Sequence, residues 1–361
     1  MPKRILLHFA FLLLILSPSF AQVKYSNEFL SIGVGARARG MSEAVVATTS
    51  DVFSNFWNPA GLTELETPFQ LGAMHSELYA GVAQYDYLGL AKTLNAEKKS
   101  VIGISLIRLG IDNIPNTLNL VAPDGSIDYT KVTSFSAADY ALYLSYAQQW
   151  KGFSVGGNLK VIRRTIGSFA GAWGFGGDLA IQYKHGNWRF GAMGKDITTT
   201  FNAWTATLTD DEKRVFSSTG NDIPVSSIEI TKPALTLGAA YVAKINNNFG
   251  LTTEIDAVLT TDGQRNVLIS SPSINIDPKI GFELNYRKLI WLRLGVGNIQ
   301  RVKNETDPTK QDLSLQPNVG LGIRLGRFNI DYALANIGNV SQVLYSNIFS
   351  LKLDFKSKSS K

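Results

Sequence analysis

Apolar and polar residues alternate along most of this 361-residue chain, from Phe69 to Phe355. In the last such stretch, residues 349–355, two Phe and two Leu fall on one face of an extended chain, and Ser, Lys and Asp fall on the other. A period of two is the signature of a β-strand whose two faces meet different surroundings. The pattern recurs about fourteen times, in stretches of about 8–12 residues, which predicts an all-β fold.

The first residues have the composition of an export signal. Lys3 and Arg4 precede an apolar run over residues 5–16, which is too short to cross a bilayer as a helix. Ser19-Phe20-Ala21 places small residues where a signal peptidase cleaves, so we expect residues 1–21 to be removed; an uncleaved membrane anchor is the alternative. The chain has no cysteine, which excludes a lipoprotein, a disulfide framework and a Cys-based zinc site.

The rest of the chain contains no apolar stretch of the roughly 18–20 residues that a membrane helix needs. Lipid admits only helices and closed barrels, because both satisfy every backbone polar group. The candidate strands are 69–76, 82–93, 100–109, 137–149, 153–164, 174–185, 188–197, 233–245, 248–259, 278–288, 290–298, 316–326, 327–337 and 347–355. Short turns alternate with long connections between them, as in outer-membrane barrels with periplasmic turns and extracellular loops. The sequence therefore predicts a 14-stranded antiparallel transmembrane β-barrel over residues 69–355, followed by a short basic tail at 356–361; a soluble β-sandwich or β-helix is the alternative.

The alternation also assigns the two faces of each strand. In the strand predicted at 278–288, Ile280 and Phe282 are expected to face lipid and Glu283 to face the lumen. A charge on the lipid face would cost about 2–4 kcal/mol near the midplane. The inner face is rich in glycine and mixes acids with bases, so we expect it to leave space for something inside. Its charged residues are Asp178, Glu254, Asp256, Glu283, Asp331, Arg189, Arg293, Arg324 and Lys352.

Residues 22–68 do not follow the alternation and are predicted to form a compact hatch folded into the lumen. Glu43–Thr49 is expected to be a short strand. Asp51 is expected to cap a helical turn that includes Trp57 and ends before Pro59, since the residue before a proline avoids helix. A periplasmic lid or a flexible arm is the alternative.

Two features of this segment are assigned to a hatch motif. One is the pair of arginines, which we expect to meet carboxylates of the inner face, and the other is a tight turn after a tryptophan. The motif residues are Arg37, Arg39, Trp57, Asn58, Pro59, Ala60 and Gly61.

The stretch Phe29–Leu62, FLSIGVGARARGMSEAVVATTSDVFSNFWNPAGL, resembles the N-terminal signature of the PorV/PorQ family of outer-membrane proteins. Its Asn58-Pro59-Ala60 turn is also similar to that of FadL-type fatty-acid channels. The resemblance covers less than a tenth of the chain. It implies a 14-stranded barrel with an N-terminal plug, placed in the bacterial outer membrane. It also implies a role in type IX secretion, beside the translocon barrel, in which cargo is accepted through its sorting domain and passed to a surface-attachment complex.

The main functional hypothesis is therefore a non-enzymatic outer-membrane barrel whose partners are lipid and either secretion components or exported cargo. The loop Thr198–Lys232 is the candidate contact surface, because it carries apolar residues among charged ones. Those residues are Phe201, Trp204, Val215 and Phe216. The alternative is a FadL-like transporter of hydrophobic small molecules, which needs an apolar pocket entered from outside and a kink in a strand. The charged inner face favours the first hypothesis, and a purely structural role is also open.

No motif predicts an enzyme, a cofactor or a metal site. His75 and His185 are expected to be polar residues at strand ends, and no cluster has metal-ligand spacing. Asp124 and Asp128 are expected to lie in a solvated loop; a calcium site formed by their carboxylates is the alternative. Gly33-Val34-Gly35 does not open a helix after a parallel strand, as a nucleotide-binding loop does, and no P-loop lysine follows it. The net charge of +6 is scattered and does not form a basic patch, so nucleic-acid binding is not expected.

Overall fold

One antiparallel sheet closes on itself in the computed structural model of the chain, because the first strand pairs with both the second and the last. The structure describes residues 26–121, 125–220, 222–304, 307, 310–337 and 345–356. The predicted signal peptide with its cleavage site at Ala21, the tail beyond residue 356 and Asp124 lie outside the described residues.

Every predicted strand is present, most of them extended by a few residues. The strands are β1 (Phe69–Leu78), β2 (Ala83–Asn95), β3 (Ser100–Asn116), β4 (Thr133–Trp150), β5 (Phe153–Ile166), β6 (Ala170–His185), β7 (Trp188–Lys195), β8 (Thr200–Ala206), β9 (Ser227–Thr231), β10 (Ala234–Lys244), β11 (Phe249–Thr260), β12 (Ile269–Ser270), β13 (Asn275–Tyr286), β14 (Ile290–Lys303), β15 (Gln311–Leu325), β16 (Phe328–Ala335) and β17 (Ser346–Phe355). All except β8, β9 and β12 form the wall, so the prediction of a 14-stranded antiparallel barrel is confirmed.

The predicted loop Thr198–Lys232 is more ordered than expected. It contains β8, β9 and the helix α3 (Asp210–Ser218), whose first turn is fixed by a capping box between Thr209 and Glu212. β8 pairs with the outer half of β6, so the wall rises on this side above its neighbours. We call the end with the long connections the extracellular end, as in outer-membrane barrels.

Burial on the wall is the reverse of that in a soluble protein. On β13, Ile280 and Phe282 are 36% and 44% exposed, whereas Glu283 between Phe282 and Leu284 is 7% exposed. The predicted faces are therefore present, with oily side chains outward and charges inward. An outer surface of this kind fits an apolar environment. None of the helices in the described part of the chain is long and apolar enough to cross a membrane.

Residues 26–68 lie inside the barrel as short helices joined by turns. The α-helices are α1 (Ala36–Gly40) and α2 (Ser54–Trp57), and the 3-10 helices are Glu28–Ser31 and Pro59–Glu64. Two more 3-10 turns, Tyr79–Gly81 and Tyr129–Lys131, lie in loops. Apolar hatch residues such as Val34 and Leu62 are fully buried and share one core with inward residues of the wall, such as Tyr85 and Ile107.

The segment Glu43–Thr49 is not the short strand that we predicted. It forms turns, and carboxylates of β11 take the backbone N–H groups that a strand would donate to a neighbour. Val45 and Val46 donate to Asp256 over 2.9 and 3.0 Å, and the next amide donates to Glu254 over 2.6 Å. The backbone is satisfied without a sheet partner, so no strand forms.

Candidate functional site

Arg37 joins the hatch to the barrel through a carboxylate of the inner face, as predicted from the sequence. From α1 its guanidinium donates to both oxygens of Glu283, over 2.9 and 3.2 Å. Glu283 also accepts from Arg293 over 2.7 Å, and Arg293 donates to Asp331 over 2.6 Å. Burial lowers the pKa of Arg37, but the adjoining Glu283 more than reverses this and raises the pKa above its ordinary value. The chain of alternating charges keeps Arg37 charged and fixes α1 against β13.

Arg39 does not meet an inner-face carboxylate, so this part of the prediction was wrong. It pairs with Glu43 of the hatch, four residues later, and donates to the carbonyl of Ile32 over 2.7 Å. The inner face supplies Lys279 here, which bonds Glu43 over 2.5 Å. Burial raises the pKa of Glu43, but Lys279 and Arg39 hold it below its ordinary value. Glu43 is therefore the shared anion between two cations.

The turn at Asn58 ties the hatch to itself and to the wall. The Asn58 side chain is fully buried and accepts from the backbone N–H of Ala60 over 3.1 Å, capping a 3-10 helix that has Pro59 at its first position. Its amide nitrogen donates to the carbonyls of Val46 over 2.8 Å and of Ile181, on β6, over 3.3 Å.

Trp57 and Gly61 complete the hatch motif. Trp57 donates from its indole nitrogen to the carbonyl of Val34 over 2.7 Å, and its ring packs edge-to-face on Phe56 with centroids 4.9 Å apart. A side chain at Gly61 would collide with the carbonyl of Thr49. Seven residues chosen from the sequence therefore belong to one packed body.

Glycines of the inner face provide the space that α1 occupies. We call Gly281, Gly295 and Gly320 the glycine seat. A Cβ at Gly295 would lie 2.5 Å from the backbone nitrogen of Ser42, and one at Gly320 would lie 3.1 Å from the Cα of Gly40. The glycines of the inner face do leave space inside the barrel, as expected, and the hatch backbone occupies that space.

The pairing of the wall is interrupted in another place, between β6 and β7. β7 leaves β6 after Gly194, and β8 resumes the pairing at Phe201. Between them the six residues 195–200 stand opposite only the three residues 176–178 of β6. We call residues 195–200 the wall break. It is a bulge of three extra residues, larger than the single extra residue of a common β-bulge.

Side-chain contacts stabilise the wall break, where the backbone pairing with β6 is interrupted. Asp196 and Thr199 adopt positive φ angles of 55° and 59°, a region that few non-glycine residues occupy. The backbone nitrogen of Asp196 donates to Asp178 over 2.8 Å, and Lys160 bonds both carboxylates, with 2.8 Å to Asp178. Strained backbone held by buried charges is more frequent at functional sites than elsewhere.

An inner cavity of about 170 Å³ lies between the hatch and the wall break. Phe56 and Trp57 of the hatch and Tyr143 of β4 form an aromatic floor. The ammonium nitrogen of Lys195 lies 4.4 Å from the Phe56 ring centroid and 5.4 Å from that of Trp57. Among the described residues, no carboxylate oxygen lies within 4.0 Å of this nitrogen. The inner cavity thus presents three aromatic rings and the Lys195 cation, within a lining whose other side chains are mostly polar or charged.

An outer cavity of about 640 Å³ opens at the extracellular end and is also lined mainly by polar side chains. The two cavities share a partition made of the first hatch residues and charged side chains. It consists of Glu28, Ser31, Glu43, Val258, Arg265 and Lys279. Neither cavity is marked by a local sequence motif, since the lining comes from many strands.

The four loop residues proposed for cargo contact do not lie on one surface. Phe201 is 42% exposed on the outer face, 5.9 Å from the Phe175 ring, whereas the inward ring of Trp204 packs against Arg164 at 5.1 Å. Val215 and Phe216 are half-buried on α3. Contact of this loop with cargo remains a prediction.

The remaining polar candidates form no site. His75 bonds Asp86 over 2.7 Å at an exposed position, and His185 is exposed at the end of β6. The Asp128 carboxylate is occupied by the backbone and hydroxyl of Thr130. Within the part of the chain that the structure describes, no group of three His, Cys, Asp or Glu residues is placed to hold a metal ion.

No family model and no curated protein sequence matches this chain. Solved structures do match it. The monoaromatic hydrocarbon channel CymD has a TM-score of 0.56 at 14% identity, over 90% of this chain and 98% of that one. The toluene transporter TodX of Pseudomonas putida has a TM-score of 0.52 at 15% identity, over 92% and 98%. A FadL homologue of Pseudomonas aeruginosa has a TM-score of 0.51 at 12% identity, over 89% and 98%.

At these identities the likeness concerns the fold. The comparisons offer nothing for the PorV/PorQ resemblance in particular, since neither a family model nor a related sequence supports it. The structural matches extend over about nine-tenths of the chain. The chain has the barrel fold that is shared by hydrocarbon channels and a FadL homologue.

Proposed function

We propose that this chain is an outer-membrane channel for small molecules that carry an apolar ring, and that the inner cavity is its binding site. The observation that carries the proposal is the aromatic floor of Phe56, Trp57 and Tyr143 beside the wall break. The likeness in fold to channels named for toluene and monoaromatic hydrocarbons supports it. This favours the transporter hypothesis over the secretion hypothesis.

The size of the inner cavity sets the size of the ligand. A cavity of about 150 Å³ is known to hold benzene, so the volume of about 170 Å³ gives room for a single aromatic ring, which would lie on the aromatic floor among polar side chains. Lys195 adds a cation over the floor, which favours an acidic substituent on the ring. Benzoate is therefore the preferred probe, and toluene is the neutral comparison.

Two borders of the inner cavity offer a route for a ligand to leave it. The partition separates it from the outer cavity, and the wall break adjoins the lipid face, where Ile197 is 41% exposed. A ligand therefore needs only local movement of the partition or of the wall break to pass.

A pair of neighbouring substitutions on β10 tests the proposal. Thr236 lines the inner cavity, whereas Leu237 beside it points to lipid and is 45% exposed. Thr236→Phe fills the inner cavity, so we expect benzoate binding to the purified barrel and benzoate influx into proteoliposomes to be lost. Leu237→Phe adds a ring on the outer face and should leave both unchanged. If neither benzoate nor toluene binds the wild-type barrel, or if Thr236→Phe binds them normally, the proposal is wrong.

The secretion role is retained as a second proposal, on one observation. The capping box at Thr209 and Glu212 gives the loop a folded helix, α3, at the extracellular end, where cargo would be met. Replacing Val215 and Phe216 with serine should then reduce co-purification of a translocon barrel or of sorting-domain cargo. Normal secretion by cells that lack this chain would remove this second role without affecting the first.

A further inference from the structure

The outer cavity contains a directional chain of side-chain carboxamides. Asn266 donates to Gln300 over 3.5 Å, Gln300 donates to Asn298 over 2.7 Å, and Asn298 donates to Gln316 over 2.8 Å. We call these four residues the amide chain. Each carboxamide carries two donors and one acceptor oxygen, so the chain presents both kinds of group to the cavity. The amide nitrogen of Gln316 makes no hydrogen bond to a described residue and ends the chain.

A β-bulge turns the amide chain inward. On β14 the odd-numbered residues up to Gly297 face the lumen, but the pairing with β15 shifts between Gly297 and Gln300. Asn298 takes a positive φ of 48° at this point. Because the shift exchanges the two faces, Asn298 and Gln300 point into the cavity and not into lipid. Bulges that re-aim side chains in this way are more frequent beside sites of function.

The charges around the outer cavity cancel. Its lining holds three acids and three bases, namely Glu28, Glu43, Asp277, Arg39, Arg265 and Lys279. Five of them belong to ion pairs, because Glu43 lies between Arg39 and Lys279, and Arg265 bonds Glu28 over 3.2 Å. A cavity of this kind offers little net attraction to an ion. It suits a neutral ligand with many hydroxyl groups.

Two further groups point to the same chemistry. Oδ1 of Asp277 is buried with no hydrogen-bond partner among the described residues, so it lacks a donor such as a hydroxyl would supply. At the rim, the Tyr79 side chain is 56% exposed on a turn that has positive φ angles at Tyr79 and Ala80. A free aromatic face beside convergent polar groups stacks well on the apolar C–H face of a sugar ring.

We propose that the outer cavity binds a neutral polyhydroxylated ligand, a short oligosaccharide, along the amide chain with Tyr79 at one end. Its volume of about 640 Å³ lies within the usual range of small-molecule sites, about 300–1,000 Å³. The site opens to the extracellular end, so the ligand reaches it from outside the cell. This inference stands apart from the ring-binding function of the inner cavity.

Titration calorimetry of the full mature chain tests the inference. The detergent must carry no sugar head group, because a maltoside would compete. The probes are maltotriose, cellotriose and raffinose, each added to the wild-type barrel. We expect at least one to bind. Gln316→Met keeps the length of the side chain but removes its hydrogen bonds, and should weaken that binding about tenfold, as expected for the loss of one or two hydrogen bonds.

A matched control lies on the same strand. Gln311 of β15 is exposed and does not line the outer cavity, so Gln311→Met should bind the trisaccharide as the wild type does. Asn298→Gly preserves the positive φ without the carboxamide, and should weaken binding as Gln316→Met does. The absence of binding by all three trisaccharides overturns the inference, and so does wild-type binding by both cavity variants.

Benzoate separates this inference from the proposed function. Gln316→Met should leave benzoate binding unchanged, and Thr236→Phe should leave trisaccharide binding unchanged, because the two residues line different cavities. Loss of both ligands in either variant would show one joint site and would overturn the inference of a separate sugar site. Failure of benzoate alone would count only against the proposed function.

Discussion

The hatch meets two parts of the wall in two different ways. At the glycine seat its backbone comes so close to Gly295 that no Cβ fits, and beside it Glu283 accepts hydrogen bonds from two arginines. At the wall break the hatch presents rings to a cavity, and Lys195 has no carboxylate within 4.0 Å among the described residues. Both regions are lined by inward-facing charges. Beside the glycine seat those charges include an ion pair between hatch and wall, Arg37 with Glu283, whereas Lys195 of the wall break meets the hatch through aromatic rings.

This difference indicates that the glycine-seat side anchors the hatch, whereas the wall-break side is available for ligand binding. A buried charge whose partner is removed is strongly destabilising, so the network around Glu283 holds the hatch whether or not a ligand is present. The wall break is held within the wall itself, by Lys160 with Asp178 and Asp196, and the aromatic floor beside it faces the inner cavity. A ligand can therefore alter the wall-break side without releasing the hatch.

The largest effect is expected from Glu283→Gln. The substitution leaves the guanidinium groups of Arg37 and Arg293 buried without their shared anion, which should destabilise the hatch by about 3–5 kcal/mol. Hydrogen–deuterium exchange of residues 36–57 in the intact barrel measures this free energy of local opening. The amides of the wall strands should keep their protection.

A double variant decides whether the arginines are the cause. Arg37→Met removes the cation that Glu283→Gln leaves without an ion pair, since Arg293 keeps Asp331, so the double variant should lose less stability than the sum of the single variants. Additive losses would mean that Glu283 anchors the hatch in some other way, and the glycine seat would then be the main anchor.

A smaller effect is expected from Gly295→Ala. The added Cβ would lie 2.5 Å from the backbone nitrogen of Ser42 and must displace α1, at a cost of about 1–3 kcal/mol. The same exchange experiment should show faster exchange at α1 than at α2. Ala172 is a buried inward residue near the extracellular end of β6, and Ala172→Gly there should leave α1 unchanged.

Acid should loosen the hatch gradually. Burial raises the pKa values of Glu43 and Asp51, but Lys279 and Arg39 for Glu43, and Lys352 and Arg37 for Asp51, bring them below the ordinary 4.5 and 3.8. The unfolded hatch therefore binds more protons than the folded one. Its stability is complete above these ordinary values and is lost as the pH falls through the lower folded values.

Conductance across a planar bilayer can follow this loss. We expect low conductance at pH 7 and a rise only below the ordinary pKa of 4.5 for Glu43. Glu43→Gln should raise the conductance at pH 7 and weaken its response to acid. A wild-type conductance that already rises between pH 7 and 5 would contradict this assignment.

The sequence predicts the wall better than the cavities, for a physical reason. Lipid favours apolar side chains and the lumen favours polar ones, at alternate positions of a strand. Each strand of the wall can therefore be recognised from its own sequence. The wall break and the bulge at Asn298 depend on how far a strand is offset from its neighbour, and no local pattern records that offset. Arg37 pairs with a carboxylate of the inner face, as predicted, but Arg39 does not. Arg39 pairs with Glu43 of the hatch, because the residue of β13 that lies nearest is Lys279 and not an acid. The cavities lie where the offsets change, and so the sequence alone could not place them.

The smallest effect on stability is expected from Lys195→Met. The change removes a cation–π contact worth about 0.5–2 kcal/mol, but it also removes a partly buried charge that has no ion pair, so the two terms oppose each other. Exchange of residues 36–57 should barely change. Benzoate binding should fall about ten- to a hundredfold, since a charged hydrogen bond of about 1.5–3 kcal/mol is lost, while toluene binding stays the same. If Lys195→Met instead opened the hatch as far as Glu283→Gln does, Lys195 would be an anchor and the contrast between the two sides of the barrel would be false.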